Sequence, residues 1–132
     1  MKVIYICSPF RADDSQAFHE NIKLAQRACE YAIGSGNTPI CPQLYFPQFL
    51  NEETQREIAL KAGLGLVKAA DELWVIGPKI SSGMASEILE AARLGVPVRC
   101  VTDPQVAIKS ITNRHDSWRK HHTMIRIKRT MQ

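Results

Sequence analysis

Three short stretches of this 132-residue chain gather residue types that can do chemistry together. Ser8, Pro9, Phe10 and Arg11 follow an apolar run and offer a hydroxyl and a guanidinium to an anion. Ser81, Ser82, Gly83 and Met84 open what reads as a helix, where free backbone N–H groups and the helix dipole favour a phosphate or carboxylate. Serines in that position also serve as simple caps, and Arg11 also suits a solvated loop; neither a P-loop nor a G-x-G-x-x-G pattern decides between these readings. Glu87 stands in the first or second turn of the same helix. It shares a polar face with Gly83, Ser86, Glu90 and Arg93, opposite Met84, Ile88 and Ala91, which is where a solvated glutamate would lie. Its nearness to the helix start sets it apart from Glu90, because the dipole there is expected to hold it ionised, as a carboxylate nucleophile requires.

The third stretch, PQLYFPQFLN at residues 42–51, crowds Tyr45, Phe46 and Phe49 together. Rings in a loop stack on a ligand such as a nucleobase, seal the end of a sheet, or meet a second subunit. The sealing role suits Phe46 and Phe49 better than Tyr45. Cys7, Cys29, Cys41 and Cys100 are widely spaced in apolar segments and read as small buried hydrophobes in a reducing compartment, with Cys7 as the alternative nucleophile. His115, His121 and His122 have no carboxylate or cysteine at ligand spacing. No metal and no cofactor is expected.

Positioning these groups needs a framework, and the apolar runs supply one. Residues 2–7, KVIYIC, lack alternation and are rich in β-formers, as in a strand buried on both faces. LWVIG at 73–77 reads the same way, with shorter strands at 38–41 and 97–101. Between them lie three helical patterns. The first is capped around Asp13–Ser15 and carries Phe18, Ile22, Ala25, Cys29 and Ala32 on one face. The second is capped by Asn51, with Ile58, Ala62, Leu66 and Ala69 expected inward. The third runs from Ser81 or Ser82 to Gly95, with Met84, Ile88 and Ala91 inward. Strands alternating with helices imply βαβ units. The expected fold is a single α/β, doubly wound, Rossmann/flavodoxin-like domain with a parallel sheet of four to five strands. In such sheets ligands sit beyond the carboxyl ends of the strands, where the three reactive stretches converge.

The composition, 45% hydrophobic and 23% charged, is ordinary for a globular domain. The amino-terminal apolar run is too short for a signal peptide, and no window approaches the roughly 20 apolar residues of a membrane helix. A soluble, cytoplasmic protein with no membrane partner is expected. Charge is unevenly spread: residues 1–104 carry 10 Lys/Arg against 12 Asp/Glu, while 105–132 carry 7 against Asp116 alone. The expected division is therefore an α/β domain over 1–104 and a basic extension over 105–132. Within the extension, 105–112 could form a short helix and 122–128 an edge strand. Its Arg and Lys residues around Trp118 could also meet a nucleic-acid backbone, although a solvated tail is the commoner outcome.

YICSPFRAD at 5–13, KAADELWVIG at 68–77 and SSGMASEILEAARLGVPV at 81–98 resemble, in this order and spacing, the nucleoside 2-deoxyribosyltransferase-like superfamily. Within it, they resemble a small group found in bacterial and phage genomes; the likeness covers roughly residues 1–102. The resemblance implies cleavage or transfer at an N-glycosidic bond, with Glu87 as the nucleophile and Tyr5 orienting it. It is also similar to the 2′-deoxynucleoside 5′-phosphate N-hydrolase branch, where Ser81, Ser8 and Arg11 match phosphate-holding positions. That points to a small-molecule nucleotide rather than a nucleoside. Family members pair subunits to close each other's pockets, so a homo-oligomer is expected. One departure stands out. The position of the superfamily's catalytic aspartate falls at Gly63, leaving Asp71 or Glu72 as the expected substitute, with Asp71 equally readable as a turn residue. Without that acid, departure of the base is expected to lose roughly 10²–10⁴ in rate. Three readings follow: an N-glycosidase or transferase, a non-catalytic nucleotide-binding domain, and a nucleic-acid-associated protein working through its tail.

Overall fold

The computed structural model describes residues 1–101. The basic extension, with the helix expected at 105–112, the strand expected at 122–128 and the suggested nucleic-acid contacts, lies outside the described residues. The chain runs β1 (Val3–Cys7), α1 (Ser15–Gly34), β2 (Thr38–Ile40), two single-turn helices (Pro42–Leu44 and Phe46–Gln48), α2 (Arg56–Ala69), β3 (Glu72–Ile76), α3 (Ser82–Leu94) and β4 (Val98–Val101). The four strands form one parallel sheet in the order β2-β1-β3-β4, the doubly wound α/β arrangement expected. After β2 the chain returns to the other side of β1, so β1 and β3 flank the crossing point where a crevice opens at their carboxyl ends.

Strand parity divides β1 between two cores. Ile4 and Ile6 pack with Ala25, Ala28 and Ala32 of α1, together with Trp74 and Ile76. Tyr5 and Cys7 point the other way, against Val67 of α2 and Met84 and Ala91 of α3, with Leu73 and Val75 beside them. These four β1 side chains are fully buried, which is why the run shows no alternation of polarity.

Helix ends follow their caps in two cases and depart in one. Asp14 accepts from Ala17 N at 2.7 Å and starts α1. Ser81 accepts from Met84 N at 3.2 Å and starts α3, which Gly95 ends in the left-handed conformation at φ 75°. Asn51 does not cap α2: its Oδ1 accepts from Glu53 N and Thr54 N, closing a turn, and the helix begins at Arg56. The inward face of α2 also differs from expectation. Ile58 is 57% exposed, whereas Gly63 and Val67 are buried, because a residue without a side chain lets the helix approach the Tyr5 ring.

Charge is anchored at the amino end of the sheet. Glu72 is buried, yet its carboxylate takes Lys2 Nζ at 2.7 Å, Trp74 Nε1 at 3.1 Å and Arg99 Nη1 at 3.6 Å. The lysine contact, then the indole, hold its carboxyl below the usual range. A lowered folded-state pKa stabilises the fold above the ordinary carboxylate range, and that contribution is lost as pH falls through the depressed value. Glu72→Gln is expected to lower stability by about 1–3 kcal/mol at neutral pH and to blunt the loss on acidification, as read from urea denaturation at neutral and acid pH.

Candidate active site

Beyond the carboxyl ends of β1 and β3, one pocket is lined by residues from all three reactive stretches. Its floor is Tyr5 from β1 and Glu87 from the second turn of α3. Tyr5 points there by strand parity, and Glu87 because the α3 start packs against β1 through Met84. Both the Tyr5 hydroxyl and Glu87 Oε2 are buried, and neither has a hydrogen-bond partner among the described residues. Buried polar atoms in native folds are nearly always satisfied, and each exception costs roughly 1–3 kcal/mol. Two facing one pocket leave a donor and an acceptor for a ligand.

The Glu87 carboxyl is pushed up to about 7, chiefly by burial, while the neighbouring Cys7 thiol and Tyr5 hydroxyl pull it down. This corrects two expectations. Glu87 is not a solvated member of the polar face of α3, and the helix dipole does not hold it ionised, because loss of water outweighs the dipole. Glu90, one turn on, pairs instead with Arg93. Burial, then the Glu87 charge, pushes the Tyr5 hydroxyl far above its ordinary value and keeps it a neutral donor. Cys7 fits no nucleophilic role. Its thiol is raised by burial and donates to Met84 O at 3.7 Å, and the residue does not line the pocket.

The walls come from four segments. Ser8 is buried, and its Oγ accepts from Gln43 Nε2 at 2.9 Å, leaving the hydroxyl proton for a ligand. The same amide reaches the carbonyls of Ile6 and Ser8, tying the end of β1 to the aromatic loop. Asn21 holds the next turn by donating to the carbonyls of Phe10 and Arg11. Arg11 lies at the rim, with Nη2 3.3 Å from the carbonyl of Glu52 and Nε 3.9 Å from its carboxylate. Ser81, Ser82, Gly83 and Met84 bring the N-terminus of α3 to the pocket.

The pocket thus gathers Tyr5, Ser8, Phe10, Arg11, Phe46, Ser81, Ser82, Gly83, Met84 and Glu87 and leaves out three other candidates. Pro9 does not line it. Tyr45 packs edge-on against Phe46 at 4.9 Å and is 40% exposed, so Phe46 faces the pocket, the reverse of the expected assignment. Asp71 begins the turn into β3 and accepts from Val3 N at 2.8 Å. It and Glu72 lie at the amino end of the sheet, on the order of 13 Å along the strand from the pocket, so neither replaces an acid there.

Sequence reasoning missed Gln43, Glu52 and Arg56, all of which line the pocket. The spacing of Arg56, Ala59, Leu60 and Gly63 was the available signal, since helical periodicity puts them on one face; Glu52 lies in the turn before the helix and gave none. Arg56 makes no ion pair with a carboxylate of the described residues. A Cβ built on Gly63 would stand 3.3 Å from the Tyr5 hydroxyl, so a side chain at this position would enter the site.

Fold and site together define a doubly wound α/β domain with an underpartnered tyrosine–glutamate pair at the carboxyl ends of its strands. Residues 2–101 match the family described as a domain of unknown function (DUF7768), and the chain belongs to that family. No curated protein matches it. Among solved structures it is similar to a 2-deoxyribosyltransferase from the psychrotolerant bacterium Bacillus psychrosaccharolyticus, with 27% identity and a TM-score of 0.57 over 74% of this chain and 70% of that one. The likeness to the nucleoside 2-deoxyribosyltransferase-like superfamily therefore holds for both sequence and fold. No helix among the described residues is long and apolar enough to cross a membrane.

A glutamate with a raised folded-state pKa binds its proton more tightly in the fold than in the unfolded chain. Stability therefore falls as pH rises from the ordinary carboxylate range to about 7, by roughly 3 kcal/mol for a shift of this size. Glu87→Gln is expected to remove this slope and to be the more stable protein at pH 8, as checked by denaturation across pH. Tyr5→Phe, which deletes a buried unpartnered hydroxyl, is expected to retain or gain about 1 kcal/mol by the same measurement.

Proposed function

We propose that this domain cleaves or transfers the glycosidic bond of a nucleoside 5′-monophosphate, with Glu87 as the nucleophile. The observation that carries the reading is the buried, unpartnered Glu87 Oε2 beside the Tyr5 hydroxyl on the floor of a pocket whose lining also holds Arg11 and Arg56. In this reading the 5′-phosphate meets the N-terminus of α3, the Ser8 hydroxyl and the guanidiniums of Arg11 and Arg56. The sugar lies over Glu87. Attack on the anomeric carbon passes through an oxocarbenium-like transition state, whose positive charge the carboxylate stabilises. Tyr5 donates toward Glu87 or the sugar and fixes their mutual orientation. Phe10, Phe46 and Leu60 supply apolar wall for the base. Similarity to a 2-deoxyribosyltransferase supports glycosyl transfer as the reaction class. Pairing of subunits and a cytoplasmic location belong to the same proposal.

A second reading, nucleotide binding without turnover, is favoured by Gly63, which places no acid where a side chain would enter the site. One experiment separates the two. Purified protein is incubated with nucleoside 5′-monophosphates differing in base and sugar, and free base is followed by chromatography beside Glu87→Ala. The expected result is release from at least one nucleotide, slowed by about 10³-fold or more in the variant. Tight binding with no release from any substrate selects the binding domain. Arg56→Ala is expected to weaken binding of the monophosphate by about tenfold or more and to leave the parent nucleoside nearly unaffected, as read by calorimetric titration of both.

A further inference from the structure

The pocket contains two carboxylates among the described residues, Glu52 and Glu87, and neither is placed to protonate a departing base. Glu87 lies on the floor and is engaged at the sugar. Glu52 lies on the rim facing the Arg11 guanidinium, an arrangement that makes it an acceptor. Over the Tyr5 hydroxyl the wall is Gly63, so the described residues supply space there and not an acid. Tyr5 holds its own proton too tightly to give it up. An uncharged purine or pyrimidine leaves with an excess electron pair and needs a proton in the transition state; lacking the donor costs roughly 10²–10⁴ in rate. A base that is already a cation leaves as a neutral molecule and needs none.

The pocket lining offers groups for both parts of such a ligand. Arg11 and Arg56 suit a phosphate, while the rings of Phe10 and Phe46 suit a delocalised cation. We infer that the pocket takes zwitterionic nucleotides, the 5′-phosphates of ribosides bearing a cationic heteroaromatic base such as a pyridinium or an N7-alkylated purine, and cleaves them without a general acid. The inference rests on the glycosidic reading given above. A Glu87 oxygen bonds to C1′ as the bond from C1′ to the ring nitrogen breaks. The electron pair of that bond enters the ring and cancels its charge, and the neutral base departs. Water then displaces the carboxylate from C1′, releasing the sugar 5-phosphate and one proton to solvent.

The test uses the full chain with three probes: nicotinamide mononucleotide, guanosine 5′-monophosphate and its N7-methyl derivative, each corrected for spontaneous cleavage. Both cationic nucleotides are expected to be accelerated at least about 100-fold more than guanosine 5′-monophosphate. The rate with nicotinamide mononucleotide is expected to rise with pH through about 7, as Glu87 ionises, and then to stay level. Equal acceleration of the neutral nucleotide, or a fall in rate on the alkaline side, would reveal an acid in action and overturn the inference while the Glu87 chemistry stands. No acceleration of any probe or of the wider nucleotide panel overturns both.

Discussion

A carboxyl group cannot be removed from water without consequence, and the placement of Glu87 governs how this domain is built around its pocket. Burial moves its titration up to about 7 even against the opposing pull of the Cys7 thiol and the Tyr5 hydroxyl. The fold tolerates that because β1 is sandwiched between two apolar layers and presents Tyr5 and Cys7, by parity, to the face on which α3 lies. Gly63 lets α2 close over the tyrosine, and the Ser81 cap fixes where α3 begins. The floor of the pocket is thus a place where the chain leaves a donor and an acceptor short of partners, and the cost is borne by the core beneath it.

The two ends of the sheet treat charge in opposite ways. At the amino end, Glu72 is buried with a lysine, an indole and an arginine around it, so its ionised form is stabilised. At the carboxyl end, burial favours the neutral form of Glu87, and the thiol and phenol beside it offset that only in part. The same residue type, one β-strand length apart, is pinned in one state at one end and poised between two at the other. Loop contacts follow the same division. Gln43 and Asn21 spend their side chains on backbone carbonyls around the pocket mouth, which holds the mouth in shape without occupying Arg56 or the α3 N-terminus.

The framework was legible in the sequence because strands buried on both faces advertise themselves as unbroken apolar runs. KVIYIC and ELWVIG could hardly be anything else once helical segments were seen between them. The cap of α3 and the stop at Gly95 were equally readable, since they depend on one or two residues. The start of α2 was not, because Asn51 satisfies its neighbours in a turn and the helix waits for Arg56. The inward face of α2 was misjudged for a related reason: periodicity weighs apolar side chains, and here a glycine is what packs. Glu87 was legible as a position and misread in its environment, since a helical wheel does not show that a neighbouring strand and helix close over the second turn. Tyr45 and Phe46 differ by one residue, and which ring faces inward is decided by the two single-turn helices, whose geometry composition does not reveal.

The N-terminus of α3 and the Glu87 carboxyl ride on one rigid rod. Four to five residues at about 1.5 Å rise each separate them by roughly 7 Å, and a hydrogen-bonded helix neither stretches nor shortens. On the reading proposed here, that rod acts as a ruler. It selects ligands by the number of atoms between the anion and the reacting carbon. A nucleotide whose charge sits one phosphate further out, or whose sugar carries none, is then rejected by length before any contact with its base is made.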